Sequence, residues 1–311
     1  MKVNYKNKKV NLPDFIIVGA QKSATTTIYK KLQNHSEVFM PKIKEINFFA
    51  YEENDHNIKK YNSYDLGNNF KMITQFKDYY NLFNEFENGI KIMGECSVNY
   101  LLRYKQTIKR LKEYYGDDYK TIKIIISLRN PIDRAFSSWL MSVRDGHDKY
   151  EFEEIVDLMI NDKNPYSLET MNYLEYGLYS DAVKAYKDNF HHVHILLYDD
   201  LVKNFSLEIN KIFKFLNISN DNEIQNLKYN VSGIPKLKFL HKLIKSDLFL
   251  KKIIKDLLPN KIISLIKKIL EMNYLKPKIS NKTKNILINY YKSDIMKLDN
   301  SINRDLNNWM R

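Results

Sequence analysis

Cysteine is almost absent from this sequence: Cys96 stands alone among 311 residues. No internal disulfide and no Cys-based zinc site can form, nothing points to an oxidising compartment, and Cys96 is expected to be a small buried apolar side chain. Glycine and proline are also sparse, at 8 and 7 residues, and no Pro/Gly/Ser linker, internal repeat or low-complexity tract divides the chain. A single domain over 1–311 is expected, because 44% hydrophobic and 13% aromatic residues supply a large core. No apolar run reaches the roughly 18–20 residues that cross a bilayer. Residues 1–14, MKVNYKNKKVNLPD, have a charged start without the apolar stretch of a signal peptide. The expected location is the cytoplasm, with association at the inner face of the membrane as a variant.

Acidic residues are short as well, with 37 Asp+Glu against 50 Lys+Arg and a net charge of +13. Such an excess invites a polyanionic partner, but its distribution decides. Between Lys236 and Lys276 eleven lysines face only Asp247, Asp256 and Glu271, a net of +8. The charge is local, and nucleic acid is not the expected partner. Apolar residues recur there at three- and four-residue spacing, as in LKFLHKLIKSDLFLKKIIKDLL, which predicts amphipathic helices over 236–271 interrupted at Pro259. A solvated helical face explains the lysines; contact with an anionic membrane surface or lipid-linked substrate is the alternative.

What is present is an alternation of apolar runs and helical patterns. Strands are predicted at 14–19, 90–96, 122–128 and 192–198, and helices at 24–34, 76–86, 98–115, 131–144, 178–190 and 201–216. Residues 40–70 read as irregular, and helical or loop material as far as the C-terminus. Runs such as IKIIISL (122–128) are continuous rather than alternating, the pattern of strands covered on both faces. An α/β fold follows: a P-loop-like three-layer arrangement with a central parallel sheet between helices, a core over about 14–235, and a basic helical C-terminal part over 236–311.

Two stretches carry chemistry. The first, FIIVGAQKSATTT (15–27), runs strand, turn, helix. It turns the free amides of a helix start, from Gln21 through Ser23 and Ala24, towards an anion, adds the hydroxyls of Thr25, Thr26 and Thr27, and brings Lys22 as a cation. The nucleotide loop G-x-x-x-x-G-K-[ST] needs a lysine directly before its Ser or Thr and a second glycine; neither exists here, which disfavours ATP hydrolysis. Alone, the stretch could be a lysine and threonines capping a helix. The second, IIISLRNPIDRAFSSW (124–139), sets Arg129 at a strand end, Asn130 as N-cap, Pro131 at the first helical position and Asp133 in the first turn. Ser137 follows two turns in. An arginine there can grip a phosphate with two donors.

Together, and in this order, the two stretches resemble the sulfotransferases that use 3′-phosphoadenosine 5′-phosphosulfate (PAPS). The family's loop commonly reads G-x-x-K-x-G-T-T, with Ala24 here in place of a glycine. The resemblance implies that residues 21–27 hold the 5′-phosphosulfate and that Arg129 and Ser137 hold the 3′-phosphate. PKIKEINFF (41–49) is similar to the K-E-x-x-F-F pattern of the branch that includes the heparan sulfate sulfotransferases and bacterial carbohydrate sulfotransferases. That likeness implies Glu45 as the general base, Lys44 beside it favouring charge on the sulfonate, and Phe48 and Phe49 as core. His35 is the competing base, since another branch uses histidine. GECSVNYL (94–101) resembles the family's acceptor-side G-E-K-S-x-x-Y-L segment, with Cys96 in place of the lysine. NVSGIPK (230–236) falls where members place a loop over the nucleotide, making Lys236, and less so Lys238, candidates for phosphate contact.

The function implied is metal-free, in-line sulfuryl transfer from PAPS, leaving 3′,5′-adenosine bisphosphate, with Lys22 at the bridging oxygen and a carbohydrate or glycolipid as acceptor. The rivals are a small-molecule kinase on a P-loop fold and a non-enzymatic basic protein that binds nucleic acid or membrane.

Overall fold

Strands without a polar side have to be sandwiched, and the chain builds its sheet accordingly. The computed structural model describes residues 1–6, 8–52, 55, 72–84, 86, 89–166, 171–220 and 277–311, with the backbone of 234–235 and 274–275. An N-terminal hairpin, β1 (Lys2–Tyr5) and β2 (Lys8–Asn11), leads into β3 (Phe15–Gly19), α1 (Thr25–Gln33) and β4 (Val38–Phe39). Next come α2 (Phe76–Asn81), β5 (Ile92–Cys96), α3 (Asn99–Leu102), α4 (Tyr104–Tyr115), β6 (Lys123–Leu128), α5 (Pro131–Asp145) and α6 (Phe152–Ile160). Then follow α7 (Ser180–Asn189), β7 (His192–Leu197), α8 (Tyr198–Lys203), α9 (Phe205–Leu216), a two-residue pairing of β8 (Ile234–Pro235) with β9 (Tyr274–Leu275), and α10 (Asn281–Ile302).

The main sheet is all parallel in the order β4-β5-β3-β6-β7. Every residue of β3 is buried. Ile16 and Val18 face a large apolar layer that includes Leu111, Trp139, Tyr186 and Tyr291, whereas Phe15 and Ile17 face a smaller one with Ile28, Leu32 and Phe213. Helices α4, α5, α7 and α10 therefore cover one face, and α1 and α9 the other. This is the α/β three-layer sandwich expected from the uninterrupted runs.

The differences lie where pattern is weak. Strand β4 has two residues, too few to show a period, and the hairpin and α6 were not anticipated. The helix expected at 98–115 divides at Arg103, and that at 201–216 divides at Asn204. The β8–β9 pairing replaces helix or loop at two points. The helices predicted over 236–271, with Lys236 and Lys238, lie outside the described residues.

The end of the chain is part of the core. Leu287, Tyr291, Ile295 and Leu298 of α10, then Leu306 and Trp309, are all buried in the larger layer. Asp294 caps α7, accepting from the Tyr179 and Ser180 amides at 2.8 and 3.1 Å and from the Ser180 hydroxyl at 2.5 Å. The Trp309 carbonyl accepts from Asn130 Nδ2 at 3.3 Å, directly beside Arg129. Trp309→Ala is expected to cost about 3–5 kcal/mol of stability, read as a lowered midpoint in chemical denaturation; a loss below 1 kcal/mol would separate this segment from the core.

Candidate active site

The turn after β3 is tied to β6. Ala20 N donates to Ser127 O at 2.6 Å and Ser127 Oγ to Ser23 O at 2.5 Å. Gly19 has φ +152°, and a Cβ there would lie 2.7 Å from Leu101 Cβ, so both conformation and approach demand glycine. Helix α1 begins with Ala24 as N-cap at φ 64°, ψ 14°, with no side-chain cap and no acidic residue in its first turn. The positive end of the helix is left open, as an anion requires. Ala24 thus occupies a backbone conformation that favours glycine, which gives the departure at this position a physical meaning. Lys22 is also left-handed, at φ 65°; two such residues in one turn mark stored backbone strain.

Four cations meet at this turn. Arg129, from the end of β6, donates to the Lys22 carbonyl at 3.2 Å and lies 4.5 Å over the Tyr198 ring. Arg134, fully buried on α5, donates to Tyr173 O and, at 3.4 Å, to Gln21 Oε1, which also accepts from Ser138 Oγ at 2.8 Å. Lys22 Nζ points along α5 to Met141 Sδ at 3.5 Å. Beyond it, Arg144 pairs with Asp145 through two bonds of 3.0 and 3.1 Å. The Lys22 ammonium is pulled down to about 8, first by burial and then by Arg144, Arg129 and Arg134, with Asp145 opposing. Ser23 Oγ, Arg129 Nε and Arg134 Nε are buried without a hydrogen-bond partner. Buried donors left unpaired among crowded cations are uncommon in a folded chain.

Helix α5 follows its sequence signals closely: Asn130 Oδ1 accepts from Ile132 N at 2.9 Å, Pro131 opens the helix, and Gly146 closes it in the left-handed region. Ser137 is buried on this helix, three residues after Arg134.

Glu45 belongs to the segment after β4, left-handed at φ 65°. Its amide donates to Cys96 O at 3.0 Å, its Oε2 accepts from Val98 N at 2.8 Å, and its Oε1 pairs with Lys44 Nζ. Burial works against the Lys44 ammonium, but the neighbouring Cys96 sulfur and Glu45 carboxylate outweigh it and hold the lysine above its usual range. Burial pushes the Cys96 thiol up to about 12. Cys96 is buried, as are Phe48 and Phe49. Beside Val98 and Gln21 lies a small, half-open recess walled by Leu101, Tyr176, Leu178 and Tyr179. His35, the competing base, is buried with both nitrogens engaged: Nδ1 accepts from Glu37 N at 3.1 Å and Nε2 lies 3.0 Å from Ser219 O.

Of the residues singled out from sequence, the structure brings Gln21, Lys22, Ser23, Ala24 and Arg129 together, with Thr25, Thr26 and Thr27 in the first turn of α1. Arg134, Ser138, Arg144 and Tyr198 were missed as members of the site. Arg134 stands within the quoted stretch IIISLRNPIDRAFSSW, but its role depends on a helix face meeting Gln21 in the turn after β3.

A parallel sheet with an uncapped helix start after β3, and a cluster of cations from that turn and the next strand and helix, defines a P-loop-like α/β scaffold. Residues 12–233 match the family described as the sulfotransferase domain, and the chain belongs to that family. It is 28% identical over 155 residues to the membrane-associated sulfotransferase kil1 of Dictyostelium discoideum, covering 48% of this chain and 28% of that protein. To carbohydrate sulfotransferase 15 of Mus musculus it is 24% identical over 255 residues, covering 67% of this chain and 44% of the relative. The chain thus spans less than half the length of these curated relatives. A sulfotransferase structure from Alicyclobacillus acidocaldarius superposes with a TM-score of 0.69 at 25% identity, covering 97% of this chain and all of that one.

Proposed function

We propose that the chain transfers a sulfuryl group from PAPS to a hydroxyl or amine of a carbohydrate or glycolipid. The observation that carries the reading is the meeting of Lys22, Arg129, Arg134 and Arg144 at an uncapped helix start, with three buried donors unpaired. The α1 amides and Thr25 to Thr27 hold the 5′-phosphosulfate; Arg129 and Ser137 hold the 3′-phosphate. Glu45 takes the acceptor proton as the acceptor oxygen or nitrogen bonds to sulfur. Lys22 stabilises the bridging oxygen that leaves with the electron pair of the broken S–O bond. A carbohydrate acceptor is favoured by the relatives named for that activity, and the lysines of 236–276 suit an anionic or membrane-borne one, met in the cytoplasm at the inner membrane face.

Thermal unfolding tests the donor. A hundredfold excess of 3′,5′-adenosine bisphosphate over its Kd stabilises by about 2.7 kcal/mol, a rise of roughly 4 °C for a chain of this size. ATP with magnesium is expected to give a smaller shift; the reverse order would transfer the site to a kinase. Mass spectrometry of cell extracts supplied with PAPS then identifies the acceptor as a product heavier by one sulfuryl group.

A further inference from the structure

One buried acid is left over from this mechanism. Glu95, in β5, has no exposed surface. Its Oε2 accepts from the Tyr79 hydroxyl at 2.5 Å and its Oε1 from the Ser97 hydroxyl at 3.2 Å, with the Tyr100 hydroxyl beside the same carboxylate. Two of these hydroxyls have a second task. Ser97 Oγ accepts from Asn47 N at 3.0 Å, and Tyr100 Oη accepts from Phe49 N at 3.2 Å. A hydroxyl owns one hydrogen; once that is given to a carboxylate, only lone pairs face the amides. The amides so held flank Asn47, itself left-handed at φ 57°, two residues after left-handed Glu45. Such backbone persists only where its surroundings over-determine it.

We propose that Glu95 is the positioning residue of the Glu45 segment: its carboxylate orients the Ser97 and Tyr100 hydroxyls so that they hold the Asn47 and Phe49 amides, and through them Glu45. The inference rests on Glu45 being the base. The relay works in one polarity. A protonated Glu95 brings a hydrogen of its own, one hydroxyl loses its acceptor, and the amide behind it loses its anchor. The titratable groups facing Glu95 are Tyr79 from α2, Tyr100 from α3, Tyr115 from α4, Cys96 next in β5, and Glu45. Burial raises all three tyrosines well above their usual range. Burial also lifts Glu95 to about 7, against the Tyr100, Tyr79 and Ser97 hydrogen bonds and helped by Glu45. The relay therefore changes polarity near neutral pH, and turnover falls as pH drops through that value.

The test uses the full chain, PAPS as donor and a whole-cell glycan and lipid extract as the acceptor pool. Glu95→Gln is expected to lower kcat 10- to 100-fold, to abolish the rise of kcat near pH 7, and to speed amide exchange in residues 45–49 at least tenfold. Affinity for 3′,5′-adenosine bisphosphate should stay within twofold. Ser97→Ala, which removes one relay and keeps the charge, should lower kcat about 3- to 10-fold and keep the rise. A wild-type pH profile in Glu95→Gln overturns the proposal. Should that variant fail to fold, unchanged kcat in both Ser97→Ala and Tyr100→Phe overturns it. Failure of the base assignment looks different: Glu45→Gln would then retain wild-type turnover whatever Glu95→Gln does.

Discussion

Glu45→Gln is expected to lower turnover by about 10²–10⁴ while affinity for 3′,5′-adenosine bisphosphate stays within twofold. Glutamine keeps the shape and an oxygen for the Val98 amide, which Glu45 now receives at 2.8 Å, so the segment need not move. What it removes is the proton acceptor, together with the negative charge paired to Lys44. The elements proposed to bind the donor, the 21–27 turn and Arg129, share no hydrogen bond with the Glu45 carboxylate among the described residues, which is why binding and turnover should separate. Transfer of radiolabelled sulfate from PAPS into the cell-extract pool measures the first, and calorimetry with the bisphosphate measures the second. Wild-type turnover would remove Glu45 as base. His35 could not take over, because both its ring nitrogens are engaged in a buried corner.

The sequence makes legible whatever is written locally. Uninterrupted runs such as IKIIISL announce strands buried on both faces, and N-P-x-D after a strand announces a capped helix start; both stand where expected. The early lysine and missing second glycine set the 19–27 turn apart from an ATP loop in the sequence itself. Ala24 was visible as a departure, and its left-handed backbone supplies the reason a glycine would be preferred. What stays illegible is set by tertiary register. Arg134 and Ser138 read as ordinary positions on one helix face until that face meets Gln21. Glu95 looks like one polar residue in a strand; its importance comes from Tyr79, sixteen positions earlier, and from hydroxyls that each serve two partners. The C-terminal helix carries no motif, yet its Asp294 and the later Trp309 brace the elements beside Arg129.

Lys22→Ala is expected to lower turnover by about 10²–10³ and, at pH 7, to make the ligand-free protein more stable. The two effects share one cause. Folding places the Lys22 ammonium in a half-buried site among arginines, taking it from 10.5 to about 8. The folded state therefore binds fewer protons than the unfolded one between those values, and stability rises with pH across that window. Below about 8 the full cost is present, on the order of 3 kcal/mol, and alanine removes it; denaturation midpoints at pH 7 and pH 10 should show the variant's advantage shrinking as the lysine discharges. An incoming polyanion reverses the sign, since its phosphates favour the charged lysine. Wild-type affinity for 3′,5′-adenosine bisphosphate should then fall as pH rises above about 8, by up to tenfold per unit, with proton uptake on binding, whereas the alanine variant should bind more weakly with a flatter profile. A site that is costly empty and relaxed when filled is one shaped for its ligand rather than for the fold. An alanine variant that kept wild-type turnover and the same pH-dependent affinity would remove Lys22 from the reaction.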